Sequence, residues 1–279
     1  MQHHQRMHTL LCCAFFVLFS FSLPAQTPDA KPVYISISYI KTNPGKTAAY
    51  LDLQKAYSKK INEYYFKQGK LMGVYLCSVV MPSGSSADYD IASVAVSGDL
   101  NFLLNDTVPV KSVVKKLFPE YSDTFIESIF EQYRQTRTLV KRDIFRGVVE
   151  IAPDAPPTKF ATMDFMKTAP GKEDEYVKLE KEFWMPIHKE RIKMGVMVDW
   201  LLMEKIMPLS STDSYNYVTG NFFTSMHFFE DSKYMEGAKK AFPNTDVDKK
   251  MEATSAVRTI AKEELWELEF YVDATNTKK

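Results

Sequence analysis

From residue 33 the chain alternates apolar and polar positions, VYISISYIK, and the same alternation returns at residue 159 as KFATMDFMK. A period of two in runs rich in aromatic and branched residues predicts strands over 33–41 and 159–167. Behind each lies a T-x-P-G-K turn, where Pro44 and Gly45, or Pro170 and Gly171, stop the strand. The spacing then turns helical. Tyr50, Leu53, Tyr57 and Ile61 lie on one face, as do Tyr176, Leu179, Phe183 and Ile187. Gly69 and Gly195 are the expected helix stops. Two strands are then predicted at 73–81 and 89–97, matched by 196–207 and 215–224. Helical stretches follow at 111–135 and 232–257, and closing strands at 138–151 and 259–272.

The two halves match by residue as well as by pattern. At an offset of 126, Lys41, Thr42, Pro44, Gly45, Lys46, Tyr50, Leu53 and Lys55 recur as Lys167, Thr168, Pro170, Gly171, Lys172, Tyr176, Leu179 and Lys181. After small deletions KKLFP at 115 matches KKAFP at 239, and RTLVKRDIF at 137 matches RTIAKEELW at 258. Matches in that order mark a tandem duplication. The expected organisation is an N-terminal linker over 26–32, one module over 33–151, a linker over 152–158, a second module over 159–273, and a tail over 274–279.

Each module reads β-α-β-β-α-β, the ferredoxin-like split βαβ unit. Two such units in one chain resemble the dimeric α/β-barrel superfamily, whose single-copy members dimerise so that two sheets curl into one barrel. The resemblance implies an α+β fold: two tandem ferredoxin-like βαββαβ modules forming one intrachain α/β barrel, with helices outside. The superfamily includes antibiotic-biosynthesis monooxygenases, haem-degrading enzymes, chlorite-dismutase-like haem proteins and NIPSNAP-like proteins. No motif in this chain singles out one of them, and fold alone does not give function.

The N-terminus changes the inventory of reactive residues. Arg6, an apolar run from Leu10 to Leu23 and the exit PAQT read as a signal peptide over 1–25, with cleavage after Ala25. The run is shorter than the roughly 20 residues a membrane span needs. The expected product is an exported, soluble protein, periplasmic or extracellular, with no membrane span. Cleavage leaves His188, His227 and Cys77 as its only histidines and cysteine. That set excludes an internal disulfide and argues against the usual zinc sites, so no metal is expected. With 35 basic and 35 acidic residues and no basic stripe, nucleic acid is not an expected partner. The Rossmann, P-loop, nucleophile-elbow and H-E-x-x-H signatures are absent.

Candidate chemistry gathers where the modules diverge. In EFWMPIHKERIKMG, residues 182–195, Trp184, His188 and Arg191 stand at i, i+4 and i+7 on one helical face. Module 1 has Ser58, Asn62 and Tyr65 there, and Lys60 in place of Pro186, which is expected to kink the helix. On the strand 215–224, period two places Tyr215, Tyr217, Thr219, Asn221 and Phe223 on one face and Gly220 on the other. Asp164 and Trp200 come from neighbouring strands of module 2.

The functional reading makes His188 the catalytic or iron-binding candidate. Trp184, Arg191, Trp200, Tyr217, Asn221 and Asp164 would then bind a small, partly apolar ligand. The bland reading pairs His188 and Arg191 with surface acids such as Glu182 or Glu190, and makes His227 a partly buried structural residue. Three functions follow: a ligand-binding protein, a monooxygenase-like or haem-dependent enzyme using His188, or a non-catalytic structural or stress-related module. No cofactor is required, haem being the one left open, as is association into oligomers.

Overall fold

The computed structural model describes residues 31–84, 87–105 and 110–276; the expected signal peptide and its cleavage point lie outside the described residues. Module 1 runs β1 (Tyr34–Thr42), α1 (Thr47–Leu53), α2 (Lys59–Lys67), β2 (Gly73–Met81), β3 (Ile91–Ser97), α3 (Leu100–Leu104), α4 (Val110–Leu117), α5 (Asp123–Thr136) and β4 (Arg137–Glu150). Module 2 repeats it as β5 (Phe160–Thr168), α6 (Glu173–Leu179), α7 (Met185–Lys193), β6 (Asp199–Met207), β7 (Tyr217–Phe223), α8 (Tyr234–Ala241), α9 (Val247–Val257) and β8 (Arg258–Asp273). The single long helix expected late in each module is broken in two, α4–α5 and α8–α9. A short helix also follows each third strand: α3 in module 1, and a 3₁₀ turn over Met226–Phe229 in module 2.

The strands close into a ring, β1-β3-β2-β8-β5-β7-β6-β4, with β4 returning to β1. Within each module the order is that of a ferredoxin-like sheet. The ring closes through two inter-module pairings, β2 with β8 and β4 with β6. Because the closing strands cross to the other module, neither sheet keeps a free edge.

Alternation along the strands separates two environments. Ile35, Ile37 and Tyr39 of β1 and Ala161, Met163 and Phe165 of β5 point into the barrel, where they pack with Ala92, Phe145, Met203, Val218 and Trp266. The opposite faces meet the helices. There Tyr50 and Leu53, or Tyr176, Phe183 and Ile187, are buried as the helical spacing requires.

Both first helices contain a π-helical turn, at Gln54–Ser58 and Glu180–Trp184. Module 1 has no proline there, so Pro186 does not cause the irregularity. The helix runs unbroken from Glu173 to Lys193, and Pro186 lies inside it, directly after the π turn. Gly69 and Gly195 end α2 and α7 at φ of 67° and 71°, a left-handed region that favours glycine.

Candidate functional site

The outer face of β5, β6 and β7 builds the floor of a polar layer in module 2. Strand register sets its rows. Asn221 lies between Trp200 and Thr162, and Thr219 between Leu202 and Asp164, with Glu263 next along from Asp164. Asn221 Nδ2 donates to Thr162 Oγ1 (3.2 Å) and to Asp164 Oδ2 (3.0 Å), and Thr219 Oγ1 donates to the same Oδ2 (3.3 Å). Two acceptors are left over. Asp164 Oδ1 and Asn221 Oδ1 are sealed from solvent and have no hydrogen-bond partner.

The helices supply the roof. His188 and Arg191 are buried, at 4% and 0% exposure, and face inward from α7. The His188 ring stacks on Trp200 (centroids 5.0 Å apart, planes at 18°), and the Trp184 ring lies 6.3 Å from it. Trp184 Nε1 in turn donates to Thr254 Oγ1 (3.1 Å). Arg191 Nε donates to the Ser232 carbonyl (2.8 Å), and Nη1 to His188 Nδ1 (2.9 Å). Its guanidinium carbon lies 3.6 Å from the Tyr234 ring centroid and 5.2 Å from that of Phe228. Nη2 is buried without a partner, and among the described residues no carboxylate forms an ion pair with Arg191.

The expected surface pairing is therefore corrected. Glu190 binds Lys193 and Glu182 faces Lys178, while His188 and Arg191 turn in and bind each other. A fully buried guanidinium finds its partners in the layer because solvent cannot reach it. Gly237 of α8 makes the room: a Cβ there would stand 3.1 Å from Arg191 Cγ and 3.2 Å from the Ile187 carbonyl. His227, expected partly buried, is exposed and pairs with Glu230.

Burial dominates the electrostatics. It holds His188 well below the usual imidazole range, and the charge of Arg191 lowers it further, so the ring is neutral. Arg191 can only donate, so Nδ1 accepts and the proton sits on Nε2. Burial raises Asp164 to about 6, aided by the charge of Glu263 and opposed by its bonds from Asn221 and Thr219. Burial also raises Glu180, against Arg258, to about 7. Tyr176 and Arg258 complete this side of the layer, each with one sealed polar atom lacking a partner.

Of the residues singled out from sequence, the structure brings together Asp164, Trp184, His188, Arg191, Trp200 and Asn221. Tyr217 shares their face but packs on Tyr176 and Trp200 as part of an apolar cluster. Tyr215 does not share it. It precedes β7 and enters the barrel, where it bonds Asp143 and accepts from Lys141 Nζ (2.6 Å). Gly220 lies on the inner face, packed against Phe222 and Leu201.

Sequence reasoning missed Glu180, which replaces Gln54, and Tyr234, which stacks on Arg191. It also missed a paired network in the barrel. There Lys262 Nζ reaches Tyr89 (2.6 Å) and Glu264 (2.7 Å), mirroring Lys141, Tyr215 and Asp143. The signal was present in the repeat: Lys141 and Asp143 match Lys262 and Glu264, and Tyr89 matches Tyr215.

No protein-family model matches the chain. No curated protein matches it either. Solved structures do. A candidate monooxygenase from Fusobacterium nucleatum superposes with a TM-score of 0.52 at 10% identity, over 88% of this chain and 95% of that one. A candidate chlorite dismutase gives 0.49 at 12% identity (88% and 96% covered). A haem-binding protein from Thermus thermophilus gives 0.49 at 8% identity (86% and 92% covered). At these identities the likeness concerns the fold alone, a ferredoxin-like α/β architecture.

Proposed function

We propose that the chain is an exported α/β-barrel protein whose C-terminal module, residues 159–273, binds a small, partly apolar molecule between sheet and helices. One observation carries this reading. Arg191 Nη2 on α7 and Asp164 Oδ1 with Asn221 Oδ1 on the sheet are complementary donor and acceptors, and each is sealed without a partner. Unpaired buried charge is costly, and direct contact would relieve it. A molecule carrying both an acceptor and a donor would satisfy these atoms together. Trp184, Trp200 and Tyr234 supply the apolar walls.

An enzyme built on His188 has less support. Haem ligation needs a ring nitrogen with a free lone pair, and the Arg191 bond puts the proton on Nε2 while occupying Nδ1. The residues around His188 do not fit an iron ligand in this arrangement. Asp164, with a pKa near 6, is the better proton acceptor.

Native mass spectrometry of the purified protein tests the binding reading. A small-molecule adduct is expected on the native chain and is expected to be lost in Arg191→Met. Lack of any adduct, together with no thermal shift across a panel of aromatic carboxylates, would count against it. Export is tested separately by N-terminal sequencing, with Gln26 as the expected first residue.

A further inference from the structure

We propose that the ligand of module 2 is an acid that also carries a hydrogen-bond donor: an anionic group facing Arg191 and an O–H or N–H facing Asp164 and Asn221. The proposal rests on the binding reading above and names the chemical class that reading leaves open.

The unsatisfied atoms have opposite needs. Arg191 Nη2 can only donate, and it is cationic. Asp164 Oδ1 and Asn221 Oδ1 can only accept when the carboxyl is ionised. Neither acceptor can be turned away. Asp164 Oδ2 already receives Thr219 and Asn221, and the Asn221 amide is oriented by the two bonds its Nδ2 donates. What remains is an edge of two carbonyl-type oxygens on the sheet and one guanidinium nitrogen on α7.

A plain carboxylate satisfies Arg191 but brings its charge toward Asp164, beside which Glu263 already stands. A neutral hydroxyl compound satisfies the acceptors and leaves Arg191 as it was. A molecule with both groups completes every atom. A polar site built this way rejects an analogue that lacks the donor, because its acceptors stay buried and unpaired.

Module 1 gives the contrast. Ser38, Ala95 and Tyr65 stand where Asp164, Asn221 and Arg191 stand, and Tyr65 packs among Leu71, Val74, Phe102 and Leu103. None of these three module 1 positions carries a charge, although Tyr65 Oη is also sealed without a partner.

The test uses tryptophan fluorescence of the full chain at pH 7.5, titrated with four probes: 4-hydroxybenzoate, 4-methoxybenzoate, benzoate and 4-hydroxybenzamide. Saturable quenching by 4-hydroxybenzoate is expected, at least tenfold tighter than by the other three. In Asp164→Ser with Asn221→Ala, the module 1 residues, the hydroxy-over-methoxy preference is expected to fall to within twofold. Thermal midpoints report whether that variant folds, and the four-probe comparison on the unmodified chain stands without it. Equal binding of the hydroxy and methoxy acids would overturn the donor class while leaving the site intact. Binding of 4-hydroxybenzoate undiminished in Arg191→Met would overturn the assigned orientation. No saturable quenching by any probe up to millimolar concentration would overturn both this class and the binding reading.

Discussion

The two modules are nearly the same protein inside the barrel and different proteins beneath the helices. Inside, each contributes a tyrosine to a lysine and an acid from the other module's closing strand: Tyr89 to Lys262 and Glu264, and Tyr215 to Lys141 and Asp143. Beneath the helices, module 1 fills its layer with Tyr65, Val74, Leu103 and Phe102, while module 2 places Arg191, His188, Asp164 and Glu180 there. Duplicated residues that stay matched are held by contacts both modules share. Positions that drift toward buried charge in one module alone have no packing reason to do so. The asymmetry is what makes the module 2 layer the candidate site, because buried charge lowers stability unless something else requires it.

The comparison can be broken most directly at α8. Gly237 occupies the place of Val113, and restoring valine there would drive its side chain into Arg191 and the Ile187 carbonyl. Gly237→Val is expected to lower unfolding stability by about 3 kcal/mol in urea titrations. Adding Arg191→Ala should recover about half of that, the backbone contact remaining. A valine tolerated without loss would show the layer to be loosely packed.

Next in size is the acid that replaced a glutamine. Glu180 has a folded pKa near 7 against 4.5 unexposed to the fold, so the folded chain holds the proton longer than the unfolded one. Its contribution is full below about 4.5 and is lost as pH rises through 7. Glu180→Gln, the module 1 residue, should therefore gain on the natural chain by about 2 to 3 kcal/mol between pH 4 and pH 8. Unfolding midpoints that stay parallel across that range would place the charge elsewhere.

Smaller effects are expected in the barrel, where the modules agree. Tyr89→Phe and Tyr215→Phe each remove a hydroxyl bonded to a carboxylate and a lysine, at a cost of about 2 kcal/mol. The two costs should match within about 0.5 kcal/mol in chemical denaturation, and a large difference would sever the equivalence of the networks. The smallest change in stability is expected at Arg191 itself. Arg191→Met removes a buried charge that has no acid partner, so thermal unfolding should shift by the equivalent of about 1 kcal/mol or less. The same variant should abolish ligand binding, separating function from folding at one residue.

Much of the architecture could be read from the chain because the fold was written twice. Period-two runs located the strands, Tyr176 and Phe183 marked the buried helix face, and the matched order identified the ferredoxin-like unit. Part of the site could be read as well, since Trp184, His188, Arg191 and Asp164 stand where the copies differ. Other parts could not. Period two assigned Tyr215 to the face of Tyr217, but the strand starts two residues later and the chain before it bends into the barrel. Helical spacing placed Arg191 beside the core without saying that Gly237, on a helix more than forty residues away, opens room for it. Glu180 looked like one more charge on a polar helix, yet it is buried at the start of the π-helical turn, at 2% exposure.

The amino-acid order alone determined the elements, their duplication and the side of each strand that is apolar, because these follow from local spacing along the backbone. Tertiary structure alone decided that β2 meets β8 and β4 meets β6, so that one barrel forms from two sheets. It also decided that Arg191 and Asp164 each carry a sealed polar atom without a partner. That arrangement depends on strand register, on the rotation of α7 and on the absence of one Cβ in α8. These are long-range distances, and no local pattern encodes them.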